Sequence, residues 1–444
     1  MQQDGLIPIE EAQPALGLKD RLLLAKDRLM QDDMARDGLI MVIFGLLTGL
    51  FNYLYQISMG IMLSPADFGT LFSLFSLFMI VWWLTQALQT PMTKFVSTFK
   101  AQGSIGKASY LWSASLKGML LVGLAAFAVS AALSPLVCNL LRIDDNLYAV
   151  LLFAAFIMAF ALPVNNGALR GLQQFIPSGF SNSLLAFLRF SLAVLFVWLG
   201  LGVYGGLLPI VLAYCAALLV TTYFLRGFAR VSHQPVSVSG LKSYTGLSLL
   251  ALVCFAVLTN VDVVLAKHYL EADSAGTYSA ISVAGKVALF APAGIAAAMF
   301  PKASELFETG GAHGRLLQRA MLYVTLIGGA VLATYVLFPH FVTDVILQGK
   351  YAITSTSLVK YALAMLLSAV LFLVIHYLLA LNRTKEVAVS LLAAASLQVG
   401  LILMYHSGID QLVNIVLLSA CFCLLFTLPL CMNAAVNARY RPCA

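Results

Sequence analysis

The chain has 444 residues, of which 61% are hydrophobic and only 10% are charged, and its formal net charge is +7. Its mean hydropathy of +0.93 excludes a soluble globular protein, because the apolar residues far exceed what a soluble core can bury. A transmembrane β-barrel is excluded as well, because the apolar runs are continuous and do not alternate. The positive charge is typical of membrane topology and does not indicate nucleic-acid binding.

Residues 1–37 precede the first apolar run and are predicted to form a cytoplasmic leader. They lack the basic start and apolar core of a cleavable signal peptide. Leu18, Leu22 and Leu29 alternate there with charged residues such as Lys19 and Asp27. This mixture predicts an amphipathic helix that lies on the inner membrane surface or docks on a partner. A flexible leader is the alternative interpretation.

Twelve segments follow that are long enough to cross a bilayer, since a transmembrane helix needs about 20 mostly apolar residues. They predict an all-α, polytopic membrane protein. The predicted spans, numbered 1 to 12 in chain order, lie near 38–63, 69–97, 109–135, 147–168, 180–202, 205–225, 245–270, 276–300, 318–340, 356–381, 387–406 and 411–433.

The basic residues are distributed unequally between the two sets of loops. Of the 26 Lys and Arg residues, only Arg142, Lys267 and Lys350 fall in loops after odd-numbered spans, whereas most others fall in the remaining loops and the tails. Cytoplasmic loops carry the excess of Lys and Arg in membrane proteins. We therefore predict a multi-pass protein of the cytoplasmic (inner) membrane with both termini in the cytoplasm.

The twelve spans divide into two predicted six-helix bundles, at 38–225 and 245–435, joined by a cytoplasmic linker at 226–244 and followed by a tail at 436–444. In each bundle the first hairpin has an acidic turn that leads into Gly-Thr. These hairpins are Asp67-Phe-Gly69-Thr70 and Asp273-Ser-Ala-Gly276-Thr277. Six spans per half indicate a parallel repeat with a substrate path between the halves.

Nearly all charges within the spans are basic: Lys94, Lys117, Arg189, Lys286 and Lys360. A charge at the bilayer centre costs about 2.5–3.5 kcal/mol on insertion scales, so such residues usually face a cavity or a partner. Lysine and arginine bind phosphate oxygens well. The pattern predicts a cationic cavity that binds an anionic head group. Lys286 and Arg189 are the stronger candidates, whereas the other three are equally explained by snorkelling to the head-group layer.

Asp262 is the one carboxylate clearly inside a predicted span. It is expected to neutralise Lys286 or Lys267, and the alternative is that it binds a coupling proton or sodium ion. No histidine or cysteine spacing typical of a metal site occurs, and no phosphate-binding loop of an ATPase is present. The sequence therefore predicts no metal, no cofactor and no enzymatic activity, and its seven cysteines are interpreted as packing residues.

Three stretches carry a resemblance to a known family: Leu63-Ser-Pro-Ala-Asp-Phe-Gly69, Gly167-Ala-Leu-Arg170-Gly171 and Asn260-Val-Asp262 with the residues after it. With them the chain resembles the polysaccharide-exporting branch of the multidrug/oligosaccharidyl-lipid/polysaccharide (MOP) exporter superfamily. The resemblance implies a V-shaped pair of bundles that works by alternating access. It also implies a flippase for lipid-linked sugars of O-antigen, capsule or exopolysaccharide pathways, whose partners include membrane lipids and glycan polymerase or synthase subunits.

Three alternatives to the flippase remain open from the sequence. A cation-coupled multidrug exporter of the same superfamily usually uses acidic groups inside its spans, and the first half has none. A membrane glycan polymerase or ligase is expected to carry catalytic residues on a large outer loop, which is missing. A non-transporting subunit of a secretion complex has the same hydropathy as a transporter. The preferred interpretation is the flippase.

Overall fold

The structure is a computed structural model that describes residues 33–86, 89–232, 234–235, 242–308, 313–346, 348–381 and 383–437. Most of the predicted leader at 1–37, the middle of the predicted linker at 226–244 and most of the tail at 436–444 lie outside the described residues. The division into leader, bundles, linker and tail therefore stays a prediction.

The helices of the first six spans follow one another with short connections. Span 1 is Asp33–Met62, span 2 is Pro65–Gln86 continued by Gln89–Ala101, span 3 is Ile105–Ala132, span 4 is Asn146–Ala154 continued by Phe156–Gly171, span 5 is Phe175–Trp198, and span 6 is Gly202–Phe224. Two short helices, Ser134–Leu141 and Arg226–Ala229, follow spans 3 and 6.

The helices of the second six spans also follow one another along the chain. Span 7 is Lys242–Tyr269, span 8 is Ala272–Gly285 continued by Val287–Phe290 and Ala293–Glu308, span 9 is His313–Leu337, span 10 is Ser355–Ala380, span 11 is Thr384–Met404, and span 12 is Ile409–Asn437. A short π-helix, Phe341–Ile346, precedes span 10.

Twelve helices of the described chain are long and apolar enough to cross a membrane, and each corresponds to one predicted span. The prediction of an all-α protein with twelve spans is confirmed, with boundaries that differ by a few residues. These boundaries shift because polar residues continue a helix beyond the apolar run, as in the inner part of span 2.

Two spans are interrupted inside the apolar region. Span 4 has a turn at Ala155, whereas span 8 is interrupted first at Lys286 and again at Ala291 and Pro292. Proline has no backbone N–H and therefore cannot continue the hydrogen-bond ladder. Proline also occurs inside the helices of spans 4 and 6, at Pro163 and Pro209, without ending them.

Span 2 is the central helix of the packing. Its first segment, Pro65–Gln86, packs on spans 7 and 8 of the second half as well as on spans 4 and 6. Its second segment, Gln89–Ala101, packs instead on spans 3 and 4 of its own half. The last segment of span 8, Ala293–Glu308, likewise packs on spans 9 and 10 of its own half. The two halves therefore meet along the first segment of span 2.

The charge distribution predicts which ends of the spans lie on the outer side, and we call these the outer ends. Several hydrogen bonds between the two halves lie there. The Tyr351 hydroxyl donates to the Gly60 carbonyl (2.6 Å), and the Lys350 ammonium donates to the carbonyls of Ile61 (3.0 Å) and Leu63. Gly60 and Ile61 belong to the last turn of span 1 and Leu63 directly follows it, so no helical N–H is available to these carbonyls. The outer ends of the two halves are thus closed onto each other.

Candidate functional site

Lys286 lies in span 8 at the first interruption of the helix, and its side chain is 4% exposed. Its Nζ donates a hydrogen bond to Asn260 Oδ1 (3.1 Å) in span 7. The same Nζ lies 5.5 Å from the centre of the Phe72 ring in span 2. The ammonium is therefore held by an amide oxygen and an aromatic face, without an acidic residue in direct contact.

Arg189 lies in span 5 and is 5% exposed. Its Nη2 donates to Asn52 Oδ1 (2.7 Å) in span 1. The guanidinium carbon lies 4.6 Å from the centre of the Tyr55 ring and 5.1 Å from that of Phe75. Arg189 Nε is sealed from solvent and has no hydrogen-bond partner among the described residues. One donor of this buried cation is thus unused.

The two cations lie against neighbouring rings of one aromatic row. This row runs along the first segment of span 2, and successive ring centres lie 5.6 to 6.4 Å apart. Its members are Phe68, Phe72, Phe75 and Phe78. Lys286 contacts Phe72 from the second half, whereas Arg189 contacts Phe75 from the first half. The structure thus brings the two strongest sequence candidates to one aromatic helix face.

Asp262 is fully buried in span 7. Its Oδ2 accepts hydrogen bonds from the hydroxyls of Tyr278 (2.8 Å) and Tyr361 (2.7 Å). Its Oδ1 is sealed from solvent and has no hydrogen-bond partner among the described residues. Within the described ranges no ion pair of 4.0 Å or less involves Asp262, so it forms no direct salt bridge with Lys286 or Lys267. The charge of Asp262 nevertheless acts on Lys286 at longer range, and the neutralisation of Lys286 by Asp262 stays a prediction.

The packing of span 8 on span 10 positions Tyr278 and Tyr361, the two tyrosines that donate to Asp262. The hydroxyls of Tyr361 and Ser282 lie 2.8 Å apart. The Tyr361 ring packs on Gly285, where a Cβ would lie only 2.4 Å from the ring. Glycine at this position therefore allows Tyr361 to reach Asp262. Sequence reasoning missed both tyrosines, although Tyr278 follows the Gly-Thr of the repeated hairpin.

No contact among the described residues joins the other three predicted cations to Lys286 or Arg189. Lys360 is half-buried and donates to Asn414 Oδ1 (3.0 Å) in span 12. Lys94 stands on an exposed face of the inner segment of span 2. Lys117 is exposed beside Leu121 at an apolar groove of about 440 Å³ between spans 3 and 4. The position of Lys117 fits the snorkelling interpretation.

Arg170 corrects one further expectation. Predicted span 4 ends near residue 168 and so leaves Arg170 on the inner loop that follows, but in the structure Arg170 lies in the last turn of the helix Phe156–Gly171. Gly167 and Gly171 of the same helix pack on the inner segment of span 2, at Met92 and Val96. This tight packing extends the helix beyond the apolar run and turns Arg170 toward span 5, where its Nε donates to Ser178 Oγ (3.1 Å).

No group of three or more metal-ligating side chains is found in the part of the chain that the structure describes. The arrangement instead combines two buried cations, unused polar atoms on Arg189 and Asp262, and an aromatic helix face. Such a site is suited to binding a charged ligand between the two halves, and it contains no nucleophile paired with a base.

Comparison with protein families found no matching family, and comparison with characterised protein sequences found no match. Solved structures do match the fold. An inward-facing multidrug resistance MATE family transporter of the MOP superfamily superposes with a TM-score of 0.73 at 16% identity, over 91% of this chain and 99% of that chain. An outward-facing transporter of that family gives a TM-score of 0.65 at 16% identity, over 91% and 96% of the two chains.

A third match is a MOP superfamily transporter from Pyrococcus furiosus, described as having a binding pocket of reverse polarity that suggests a different function. It gives a TM-score of 0.65 at 16% identity, over 91% of this chain and 96% of that chain. The fold of this protein is therefore that of MATE transporters.

Proposed function

We propose that this protein is a flippase that moves a lipid-linked oligosaccharide or polysaccharide precursor, carried on polyprenyl pyrophosphate, across the cytoplasmic membrane by alternating access. The observation that carries the proposal is the pair of buried cations, Arg189 and Lys286, on the aromatic row of span 2. One comes from each half, at the interface along which the halves meet.

Among the described residues neither cation has an acid in direct contact, and the charge of Asp262 acts on Lys286 only at longer range. A buried charge without a partner costs several kcal/mol, even after local relaxation. Amide oxygens of Asn52 and Asn260 and aromatic faces offset only part of this cost. An anionic ligand removes the remainder, and pyrophosphate presents oxygens to both the guanidinium fork and the compact ammonium.

The placement of the cations suits alternating access. A ligand that contacts both halves binds one conformation better than another and therefore shifts the balance between them. Arg189 belongs to span 5 and is hydrogen-bonded to span 1, whereas Lys286 lies where span 8 is interrupted. A bound anion that draws these two groups together changes the relative position of the halves in a way that a single-sided site cannot.

The test is flipping of a fluorescent polyprenyl-pyrophosphate oligosaccharide in proteoliposomes. We expect Arg189→Ala and Lys286→Ala each to lower the rate at least tenfold, because a hydrogen bond to a charged group contributes about 1.5–3 kcal/mol. Lys117→Ala and Lys360→Ala are matched controls, expected to change the rate less than about threefold. Equal losses in all four variants, or no flipping by correctly folded wild type, contradict the proposal.

A cation-coupled multidrug exporter is the second candidate function, and Asp262 is the observation that favours it. The carboxylate is buried and one of its oxygens has no partner, as expected for a proton or sodium site. The first two structural matches reported above are multidrug resistance transporters of the MATE family. Efflux of a cationic dye by wild type, together with no glycan flipping, supports this candidate. Failure of both assays supports a non-transporting subunit that binds a glycan polymerase or synthase.

A further inference from the structure

A cavity of about 440 Å³ lies at the outer end of the second half, and we call it the outer cavity. Its walls come chiefly from the first turns of spans 8, 10 and 12 and from the connections that lead into spans 10 and 12. Neither Arg189 nor Lys286 lines it, so it is distinct from the site between the halves. Six of its lining residues have polar side chains: Ser274, Thr354, Ser357, Ser407, Asp410 and Gln411.

Hydrogen bonds hold several of these side chains in place. The Ser357 hydroxyl of span 10 donates to Asp410 Oδ1 of span 12. Because this bond uses the only proton of that hydroxyl, Thr354 Oγ1 donates in turn to Ser357 Oγ (2.6 Å). The backbone N–H of Ser407 donates to Gln411 Oε1 (2.8 Å), which fixes the orientation of the Gln411 amide. The polar wall of the cavity is therefore ordered by contacts within the protein.

This network leaves polar atoms at the cavity wall for a ligand. Within the described chain, no hydrogen bond uses Asp410 Oδ2 or Gln411 Nε2. Asp410 is exposed and Gln411 is half-buried, and neither is among the buried groups that lack a partner. The hydroxyls of Ser274 and Ser407 can each donate and accept. The cavity thus presents an acceptor, an amide donor and hydroxyl groups together.

The size and charge of the outer cavity decide which class of ligand suits it. Pockets of about 300–1,000 Å³ bind small organic molecules, whereas a water molecule fills only about 30 Å³, so a single ion leaves most of the space empty. In the described chain no basic residue and no aromatic ring lines the cavity. The Asp410 carboxylate repels phosphate, and an organic cation lacks the aromatic face that usually binds it. A neutral, hydroxyl-rich molecule fits best.

We propose that the outer cavity is a carbohydrate site that binds a neutral sugar of the transported glycan at the outer side. The inference rests on the proposed function for its ligand, and it adds a contact that recognises sugar rather than phosphate. Asp410 and Gln411 bond the sugar hydroxyls, while Ile281 and Ile409 pack on the C–H faces of the sugar ring. Because the cavity lies within one half, the site keeps its shape when the halves move relative to each other.

The test measures binding of labelled, detergent-solubilised protein to a printed array of neutral and acidic oligosaccharides that carry neither lipid nor phosphate. We expect wild type to bind neutral oligosaccharides. Asp410→Ala is expected to weaken the apparent affinity about tenfold, and Gln411→Ala about fivefold, because hydrogen bonds to a charged group contribute more than neutral ones. Asp273→Ala is the matched control, because this exposed carboxylate of the first turn of span 8 does not line the cavity.

A second variant fills the cavity. Ser407 is exposed, so we expect Ser407→Trp to keep wild-type thermal unfolding and to lose binding of neutral oligosaccharides. Ser355→Trp is its matched control, because Ser355 is equally exposed and does not line the cavity. Binding that is lost in Asp410→Ala and Ser407→Trp and kept in both controls supports the carbohydrate site.

The outcomes separate this site from the proposed function. Wild type that flips the lipid-linked probe but binds no neutral oligosaccharide, or only acidic ones, overturns the carbohydrate site and leaves the flippase standing. Binding that is equal in wild type, Asp410→Ala and Ser407→Trp overturns the site as well. Neutral binding that depends on these residues, in a wild type that flips nothing, supports the site and contradicts the flippase.

Discussion

Gly69 in span 2 crosses Gly276 in span 8 so closely that neither position has room for a side chain. A Cβ on Gly69 would lie 2.9 Å from the Gly276 backbone nitrogen, and a Cβ on Gly276 would lie 1.9 Å from the Pro65 carbonyl oxygen. The two glycines come from the matching hairpins of the two halves. The sequence repeat is therefore also the contact that closes the outer ends.

Gly276→Ala is expected to disfavour the closed outer side. The added methyl group cannot coexist with the Pro65 carbonyl, and overpacking of this kind costs about 1–3 kcal/mol. Cysteine-accessibility labelling at the outer end of span 2 measures the effect, and we expect at least fivefold faster labelling. Gly400→Ala is the matched control, because a Cβ there meets nothing within 4 Å. Equal labelling of both variants would contradict the role of this crossing.

Lys350→Met is expected to open the outer side without any change at the crossing of Gly69 and Gly276. Its ammonium donates to the end of span 1, and partial burial there lowers the pKa of Lys350 below its usual value of 10.5. Because the lysine is exposed, we expect a cost of only about 1 kcal/mol, or about fivefold in the closed-to-open ratio. The same accessibility labelling provides the measurement.

The contact of Lys350 with span 1 is expected to make the closed-to-open ratio of the outer side depend on pH. The closed state binds the proton of Lys350 less tightly than an open state in which the ammonium is fully hydrated. Raising the pH through the window just below 10.5 therefore favours the closed state in wild type. Lys350→Met is expected to lose this alkaline dependence, and a variant that keeps it would show that another group is responsible.

Asp262→Asn is expected to remove the dependence of transport on a proton or sodium gradient. The amide retains an oxygen for the hydroxyls of Tyr278 and Tyr361 but no longer titrates. Transport by wild type and variant is compared in proteoliposomes with and without each gradient. If both proteins respond to the gradients in the same way, Asp262 has no coupling role and serves only to position the tyrosines.

Gly285→Ala is expected to displace the Tyr361 ring and so loosen the Asp262 site. The added carbon would lie 2.4 Å from the ring, which predicts a loss of about 1–3 kcal/mol in the free energy of unfolding. Thermal unfolding in detergent measures this loss. Gly329→Ala in span 9 is the matched control, since a Cβ there meets nothing within 4 Å. A similar small effect of both substitutions would show that the ring adjusts freely.

The twelve spans, and the choice of Arg189 and Lys286 as the stronger candidate site residues, could be predicted from the sequence for a physical reason. Insertion into a bilayer depends on the hydrophobicity of each segment by itself, so a local average predicts it. The cost of a buried charge is equally local, and it singles out Arg189 and Lys286 without knowledge of their neighbours. Even the hairpins around Gly69 and Gly276 were recognisable as a repeat.

The partners of these residues were decided only by the tertiary structure. Phe72 and Phe75 look like ordinary apolar residues until span 2 packs between the halves, and Asp262 accepts its hydrogen bonds from two tyrosines that no sequence pattern singles out. Arg170 becomes part of a helix because two glycines pack on span 2. Hydropathy measures what each segment gains from leaving water, whereas contacts between segments depend on shapes that meet only after folding.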